Sequence, residues 1–264
     1  MKTNTVRAKL KRGESSIGTW LVLPDPMAAQ LMGRVGFDWL TVELEHAPVS
    51  IETAAQSFVA IAAGGTVPLV RVPWNSAENI KRVLDNGAWG VIVPMVNSKA
   101  EPEAAVAAAR YQPLGERSVG GQLHAASFDT DPATYYARAN EEILVVVMME
   151  HVRAVENAEA ILSVPGVDAF FIGPNDLTNS MGRAPVFESD DKEFVGALEH
   201  LRAVGRKYGV ASGIHVADAA AAGRRRAEGF QMIAIASEAG LMLAKAREAV
   251  SALGLGKASG VAKY

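Results

Sequence analysis

Two carboxylates in the middle of the chain each stand just past a short apolar run. Glu150 follows Ile-Leu-Val-Val-Val-Met-Met at 143–149, and Asp176 follows Asp168-Ala-Phe-Phe-Ile and the turn Gly173-Pro174-Asn175. In an α/β protein the C-terminal ends of parallel strands open onto one face, so residues just past two such strands can converge on one point. Two hard oxygen donors beside solvent suit a divalent cation such as Mg²⁺ or Mn²⁺. A lone pair of loop carboxylates is as well explained as turn residues, one of them capping a helix. What favours chemistry is that further polar groups fall at the ends of other apolar runs.

Glu43, Glu45 and His46 close the run at 39–44, Arg71 closes 67–72, and His215 closes 210–214. Singly, His46 can be a structural histidine, Arg71 a surface ion-pair partner and His215 a packing residue. Together their roles are complementary. A cation on Glu150 and Asp176 can chelate a 2-oxo acid and act as Lewis acid on its carbonyl. Arg71 can place positive charge where an enolate oxygen develops, and His46, of a type that titrates near neutrality, is the natural proton carrier. Gly173, Pro174 and Asn175 open the next helical stretch, where backbone amides can receive a substrate carboxylate. The implied reaction is proton abstraction next to a carbonyl, or its reverse-aldol equivalent. The competing enolate chemistry needs a Schiff-base lysine. Lys81 and Lys99 fall in helical stretches and Lys207 precedes a strand, which favours the metal route.

These groups need a scaffold that brings many strand ends together. Candidate strands at 17–23, 39–44, 67–72, 90–94, 143–149, 168–172, 210–214 and 231–236 alternate with Ala-rich amphipathic stretches. Strand alternating with helix eight times is the pattern of a (β/α)₈ barrel, whose catalytic groups come from the strand C-termini. An open doubly wound sheet is the other arrangement, but no G-x-G-x-x-G follows an early strand. Asn75 with Glu78, and Ser98 with Glu101, have capping-box spacing, while Gly87 and Gly229 are placed to end helices. The long irregular stretch at 110–130 is expected to cover the site or to reach a neighbouring subunit. The helical stretch from Ser237 to Leu253 carries Leu241, Ala244, Ala249 and Val250 on a face that needs something to pack against.

The totals exclude several classes. The chain has 264 residues, 49% hydrophobic and 21% charged, enough for one barrel domain over 1–264 with a sizeable core. A net charge of -3 with scattered Lys and Arg argues against nucleic acid, and Arg224-Arg225-Arg226 is explained as a solvated helix face. Without cysteine there is no disulfide, iron-sulfur cluster or thiol nucleophile. No apolar run approaches 18 residues and no leader is visible, so a cytoplasmic protein without a membrane partner is expected.

Over Ile17 to Leu255 the sequence resembles the HpcH/HpaI family of class II pyruvate aldolases, the 4-hydroxy-2-oxoheptanedioate aldolase type. The resemblance is carried by Gly36-Phe-Asp-Trp-Leu with Glu45-His46-Ala47-Pro48, by Val70-Arg71-Val-Pro-Trp74-Asn75, by Gly115-Glu-Arg117-Ser-Val-Gly120, and by Pro165-Gly-Val-Asp168 leading into Ile172-Gly-Pro-Asn-Asp176-Leu. It implies a TIM-type (β/α)₈ barrel that assembles as a homo-oligomer, a trimer or hexamer, with the last helix exchanged between subunits. It also implies Mg²⁺, Mn²⁺ or Co²⁺ as cofactor, and cleavage of 4-hydroxy-2-oxo acids to pyruvate and an aldehyde. Glu150 and Asp176 would be the metal ligands, Arg71 the enolate-stabilising residue, and His46 with Asp85 the proton-handling pair. Asp85 enters by resemblance alone, since it sits in Leu-Asp-Asn-Gly at the end of a predicted helix, away from the strand C-termini.

Three departures from the family pattern bear on the aldehyde. Glu43 stands where relatives have Asp, Met148 where the type member has Gln, and His215 where it has Leu. An imidazole at His215 can hydrogen-bond a hydroxyl, which points to short hydroxylated aldehydes. Two other functions are weighed: a lyase of the same superfamily acting on a CoA thioester, for which no basic adenine-binding surface is visible, and a barrel that binds metal and 2-oxo acid without chemistry.

Overall fold

A computed structural model describes residues 1–255. Eight parallel strands close into a barrel: β1 (Ser16–Leu21), β2 (Trp39–Glu43), β3 (Val67–Arg71), β4 (Gly90–Val93), β5 (Leu144–Met148), β6 (Ala169–Ile172), β7 (Ala211–Val216) and β8 (Met232–Ser237). Each strand pairs with the next, and β8 pairs with β1. The expected (β/α)₈ barrel is therefore the fold, and the doubly wound sheet is not.

The strand sequences explain the closure. With helices outside and packed side chains inside, each strand is buried on both faces and reads as a nearly unbroken apolar run; β5 and β6 are buried at every position. The barrel interior holds a large ring where a glycine makes room. A Cβ on Gly18 would lie 2.1 Å from the ring of Trp39, which is itself fully buried and meets Phe171 edge-on at 6.4 Å.

The seam between first and last strands carries bonds that no strand pairing accounts for. Thr19 Oγ1 donates to Ile235 O at 2.7 Å, and Glu238 Oε1 accepts the amides of Val22 and Leu23 at 2.7 Å each. These bonds explain why β1 stops at Leu21 rather than continuing to residue 23: the next two amides go to a side chain.

Helix boundaries follow local chemistry with two corrections. The helix Ala77–Asp85 is capped by Ser76, whose Oγ accepts from Asn79 N, and not by Asn75, whose side chain instead donates to Glu101 O. In the second expected box Glu101 does reach back to the Ser98 amide at 2.7 Å, but the Ser98 hydroxyl turns to the same carboxylate. Gly87 and Gly229 both take positive φ after their helices.

A helix the sequence reading did not anticipate, Thr5–Lys11, closes the N-terminal mouth of the barrel. Asn4 Nδ2 donates to Trp89 O and Glu142 O, on the run-ins to β4 and β5, and Arg7 pairs with Asp168 at the start of β6. The stretch at 110–130 is less irregular than expected, since it contains the helix Leu123–Ser127. It packs at this same N-terminal end, where Trp89 stacks on Phe128 at 4.2 Å and bonds Ser127. Within one subunit it does not cover the strand C-termini. Among the described residues no helix is long and apolar enough to cross a membrane.

Candidate active site at the strand C-termini

Register places the first pair of functional groups. Glu43 and Arg71 are partners across β2 and β3, both at the last residue of their strand. Glu43 Oε2 accepts from Arg71 Nε at 2.6 Å, while Oε1 accepts the backbone amides of Glu45 and His46 at 2.6 and 3.1 Å. One buried carboxylate thus fixes both the guanidinium and the turn that carries His46. Arg71 also lies over the Trp20 ring at 4.7 Å, and its Nη1 approaches Met148 Sδ at 3.6 Å. Its Nη2 makes no hydrogen bond among the described residues.

The second group is acidic. Glu150 is 3% exposed, and its Oε1 accepts the Met95 amide at 2.9 Å. Met95 has φ 55, a conformation that costs a side-chain-bearing residue roughly 1–2 kcal/mol. That strained turn delivers the amide to Glu150. The other oxygen, Oε2, is enclosed without a partner, whereas Glu45 Oε2 makes no hydrogen bond but lies 3.2 Å from Arg71 Nε. Burial pushes the Glu150 carboxyl up to about 8, with the negative charges of Asp176 and Glu45 acting in the same direction against the Met95 bond and Arg71. Burial likewise raises the Glu45 carboxyl, against the pull of Arg71 and His46. Asp176 sits exposed in the first turn of the helix Pro174–Ser180 and acts electrostatically on both. A Cβ on Gly173 would fall 2.5 Å from Glu150 Oε2, so only glycine leaves space around that atom.

His46 has a side chain 67% exposed, with Nε2 3.7 Å from Glu45 Oε2. His215 lies at the end of β7, its Nε2 3.0 Å from Ala236 O, with Arg71 among the charges that act on it. Gly173 caps the helix Pro174–Ser180 with no side-chain bond, and because Pro174 has no N–H, the open donors of that turn are the Asn175 and Asp176 amides.

The residues fit a divalent cation. Glu150 Oε2 is enclosed without a partner, and Asp176 acts on the same carboxyl from the solvent side, so this pair offers hard oxygen donors short of positive charge. Among the described residues no group of three or more His, Cys, Asp or Glu side chains is placed to hold a metal ion together. A cation held by Glu150 and Asp176 would take its remaining positions from water and substrate, as Mg²⁺ commonly does.

The family model described as HpcH/HpaI aldolase/citrate lyase matches residues 16–244. The chain belongs to this family. It is 39% identical to the 4-hydroxy-2-oxo-heptane-1,7-dioate aldolase of Escherichia coli over 94% of each chain. It is 33% identical to the hydroxypyruvate/pyruvate aldolase of Rhizorhabdus wittichii, covering 94% of this chain and 98% of that one. Among solved structures, a HpcH/HpaI aldolase/citrate lyase family protein from Burkholderia cenocepacia superposes with a TM-score of 0.88 at 33% identity, covering 96% of this chain and all of the other. The expected enzyme class, a carbon-carbon lyase, stands with the family.

Against this HpcH/HpaI background, one rim of the barrel brings together His46, Arg71, Glu150, Asp176, the 173–175 turn and His215. Asp85 is elsewhere. It ends the helix Ala77–Asp85 at the N-terminal mouth, where Oδ1 accepts from Arg117 Nη2 at 2.7 Å and Nε at 3.2 Å. Within one subunit it does not pair with His46. Glu45, Trp20 and Phe187 join the site only in the fold, through Arg71 and His215. Trp20 could have been found from its place near the end of the first strand. Phe187 lies in a loop and has no such signal.

Proposed function

We propose that the chain is a divalent-metal-dependent aldolase that forms and cleaves 4-hydroxy-2-oxo acids, joining pyruvate or a close 2-oxo acid to an aldehyde through an enolate. The observation that carries this reading is the buried Glu150, with one oxygen unpartnered and its carboxyl pushed up to about 8 beside Asp176. Such a group is costly without a cation and well placed with one. Glu150 and Asp176 would hold Mg²⁺, Mn²⁺ or Co²⁺, which when bound supplies Lewis acidity at the 2-oxo group.

The chain's own residues do the rest. The Asn175 and Asp176 amides receive the substrate carboxylate. Arg71, held by Glu43 and Trp20, presents its free Nη2 to the oxygen on which enolate charge develops. In the cleavage direction His46 takes the proton from the C4 hydroxyl as the C3–C4 bond breaks, and the enolate carbon is then protonated to give pyruvate. His46 is exposed enough to exchange that proton with water.

The family-implied pairing of His46 with Asp85 can be met only between subunits, because in its own subunit Asp85 is held at the other mouth of the barrel. A homo-oligomer, trimer or hexamer, in which the 110–130 segment completes a neighbour's site answers this. The helix Glu238–Ala252 supports it, exposing Leu241, Met242, Leu243 and Val250. Sedimentation at micromolar concentration should show the oligomer; a monomer removes this part of the reading.

The test of the reaction is pyruvate release from a racemic 4-hydroxy-2-oxo acid. Release should stop with EDTA and return with Mn²⁺ or Mg²⁺, and borohydride with pyruvate should trap nothing, since a lysine Schiff base has no part. Metal-independent release, or a trapped adduct, overturns the reading.

A further inference from the structure

At the N-terminal mouth a histidine that the proposed chemistry does not use is buried whole. His124 lies in the helix Leu123–Ser127 with none of its surface exposed, and neither Nδ1 nor Nε2 has a hydrogen-bond partner among the described residues. A neutral imidazole carries one N–H and one lone pair, so both polar ends of the ring have left water without gaining a bond. Such a place suits the neutral ring poorly and the charged ring far less, because an unpaired charge is the costlier group to bury. Burial holds the imidazole below its usual range, with the positive charge of Arg117 acting in the same direction and the carbonyl and carboxylate of Asp85 pulling back more weakly.

The ring is packed rather than bonded. Tyr135 and Tyr136, from the helix Pro132–Glu142, tilt against it at 4.3 and 5.5 Å, and a Cβ on Gly121 would come within 3.5 Å of its Cε1. Arg117, whose side chain has no exposed surface, is itself fixed: Nη1 donates to Tyr135 Oη at 3.1 Å, Nη2 donates to Asp85 Oδ1 at 2.7 Å, and the guanidinium lies over the Tyr111 ring at 4.6 Å. The helix Ile51–Ala63 also packs here and, among the described residues, adds no charge that acts on the ring. A protonated His124 would therefore find a cation beside it, and only a carboxylate that Arg117 already holds. The run 117–128 that carries it is joined to the barrel without strand pairing. Trp89 Nε1 donates to Ser127 Oγ, Ser127 Oγ donates to Gly87 O, and the Lys2 amide donates to Phe128 O, each at 2.8 Å. Val119 and Leu123 of the same run are more than half exposed. A segment fastened in this way can open while the strands stay paired.

We propose that His124 is a proton-operated latch: as a neutral ring it keeps the run 117–128 seated on the mouth of the barrel, and on taking a proton it releases that run while the barrel stays shut. A group held below its usual range contributes its stability in full above that range, about 6.5 for an imidazole, and loses it as pH falls from there toward the lowered value. The run is thus seated at neutral pH and loosened in mild acid. Arg117 travels with it, which leaves Asp85 without its partner.

Amide hydrogen exchange read by mass spectrometry on the intact protein tests this, with rates corrected for the intrinsic effect of pH. Between about pH 7.5 and about pH 5, peptides covering 117–128 should lose protection on the order of 10-fold, while those covering β5 and β6 keep theirs. His124→Phe, which keeps a ring between the tyrosines and cannot take a proton, should show no such loss. In wild type, slow deuterium exchange at His124 Cε1, read in the same peptides, should give a midpoint below the usual imidazole value. Equal protection at both pH values overturns the proposal. So does a loss shared by the whole barrel, or one that persists in His124→Phe and so belongs to the Asp85–Arg117 pair. Should His124→Phe not fold, a His124 midpoint at or above the usual value overturns the latch from wild type alone.

Discussion

The two mouths of the barrel treat buried charge in opposite ways. At the N-terminal mouth Asp168 is saturated: Arg7 Nε and Nη2 reach Oδ1 at 2.8 and 2.7 Å, and Arg110 Nη2 and the Val145 amide reach Oδ2 at 2.9 Å each. At the C-terminal mouth Glu150 keeps an enclosed oxygen with no partner. The first arrangement needs nothing more, and its charges are matched by charges. The second is incomplete as a protein structure, and its incompleteness is the signature of a place for something else. In a barrel of this kind stability gathers at one end and chemistry at the other, and here the contrast between Asp168 and Glu150 follows that division.

The sharpest break of this contrast is at Glu150. Glu150→Gln, and likewise Asp176→Asn, should leave metal-dependent turnover undetectable while the circular dichroism spectrum and unfolding cooperativity stay those of wild type. Unfolding of these variants would place Glu150 with Asp168 among structural charges. Next in size is Asp168→Ala, which strands two arginines, one of them with a side chain only 2% exposed. Denaturant titration should show a loss of about 3–5 kcal/mol, with activity per folded molecule retained.

Arg71 belongs to the chemical end although it is ion-paired to Glu43. Arg71→Ala should lower kcat on the order of 10²-fold beyond any change in KM, as expected of a group that acts on developing charge. A rise in KM alone would make it a carboxylate anchor only.

The smallest effect is in pH-dependent stability. The Glu150 carboxyl is raised, so the folded chain holds its proton more tightly than the unfolded chain does. Its contribution is complete below the ordinary carboxylate range and is lost as pH rises toward about 8. In EDTA, the Tm of wild type relative to Glu150→Gln should therefore fall by a few degrees, or roughly 1–2 kcal/mol, between about pH 5 and pH 8. Mn²⁺ should reverse the fall for wild type only. A flat difference across that range would mean that Glu150 is not desolvated in solution.

Much of this was legible in the chain itself. The strands could be read because burial on both faces makes each a short apolar run, and the site because its members follow those runs directly. Short or non-periodic features could not. The helix Thr5–Lys11 has only two turns, too few for a hydrophobic period to show, and its docking depends on Arg7 meeting Asp168, 161 residues away. Ser76 rather than Asn75 caps its helix because the Asn75 side chain is used on Glu101 O, a contact between two different loops. Glu45 reads in sequence as a spare carboxylate next to His46, and only the fold reveals that it is half-buried with Oε2 3.2 Å from Arg71 Nε. Phe187 could not have been read at all, since its partner His215 lies on the far side of a 17-residue helix in sequence.

The seam between β1 and β8 has a bearing on how the molecule comes into being. Its bonds join residues more than 200 positions apart, with Glu238 tied to Val22 and Leu23 and Thr19 to Ile235. A ribosome delivers Glu238 more than 200 residues after β1, so the nascent chain cannot close this junction until that stretch has been made. Loop-closure entropy for that final junction grows only slowly with length. The wait is therefore one of order of arrival more than of free energy. His46, Arg71, Glu150 and Asp176 are all made before the ring can shut, and a chain stopped short of Glu238 would carry every one of them without the closed barrel that aligns them.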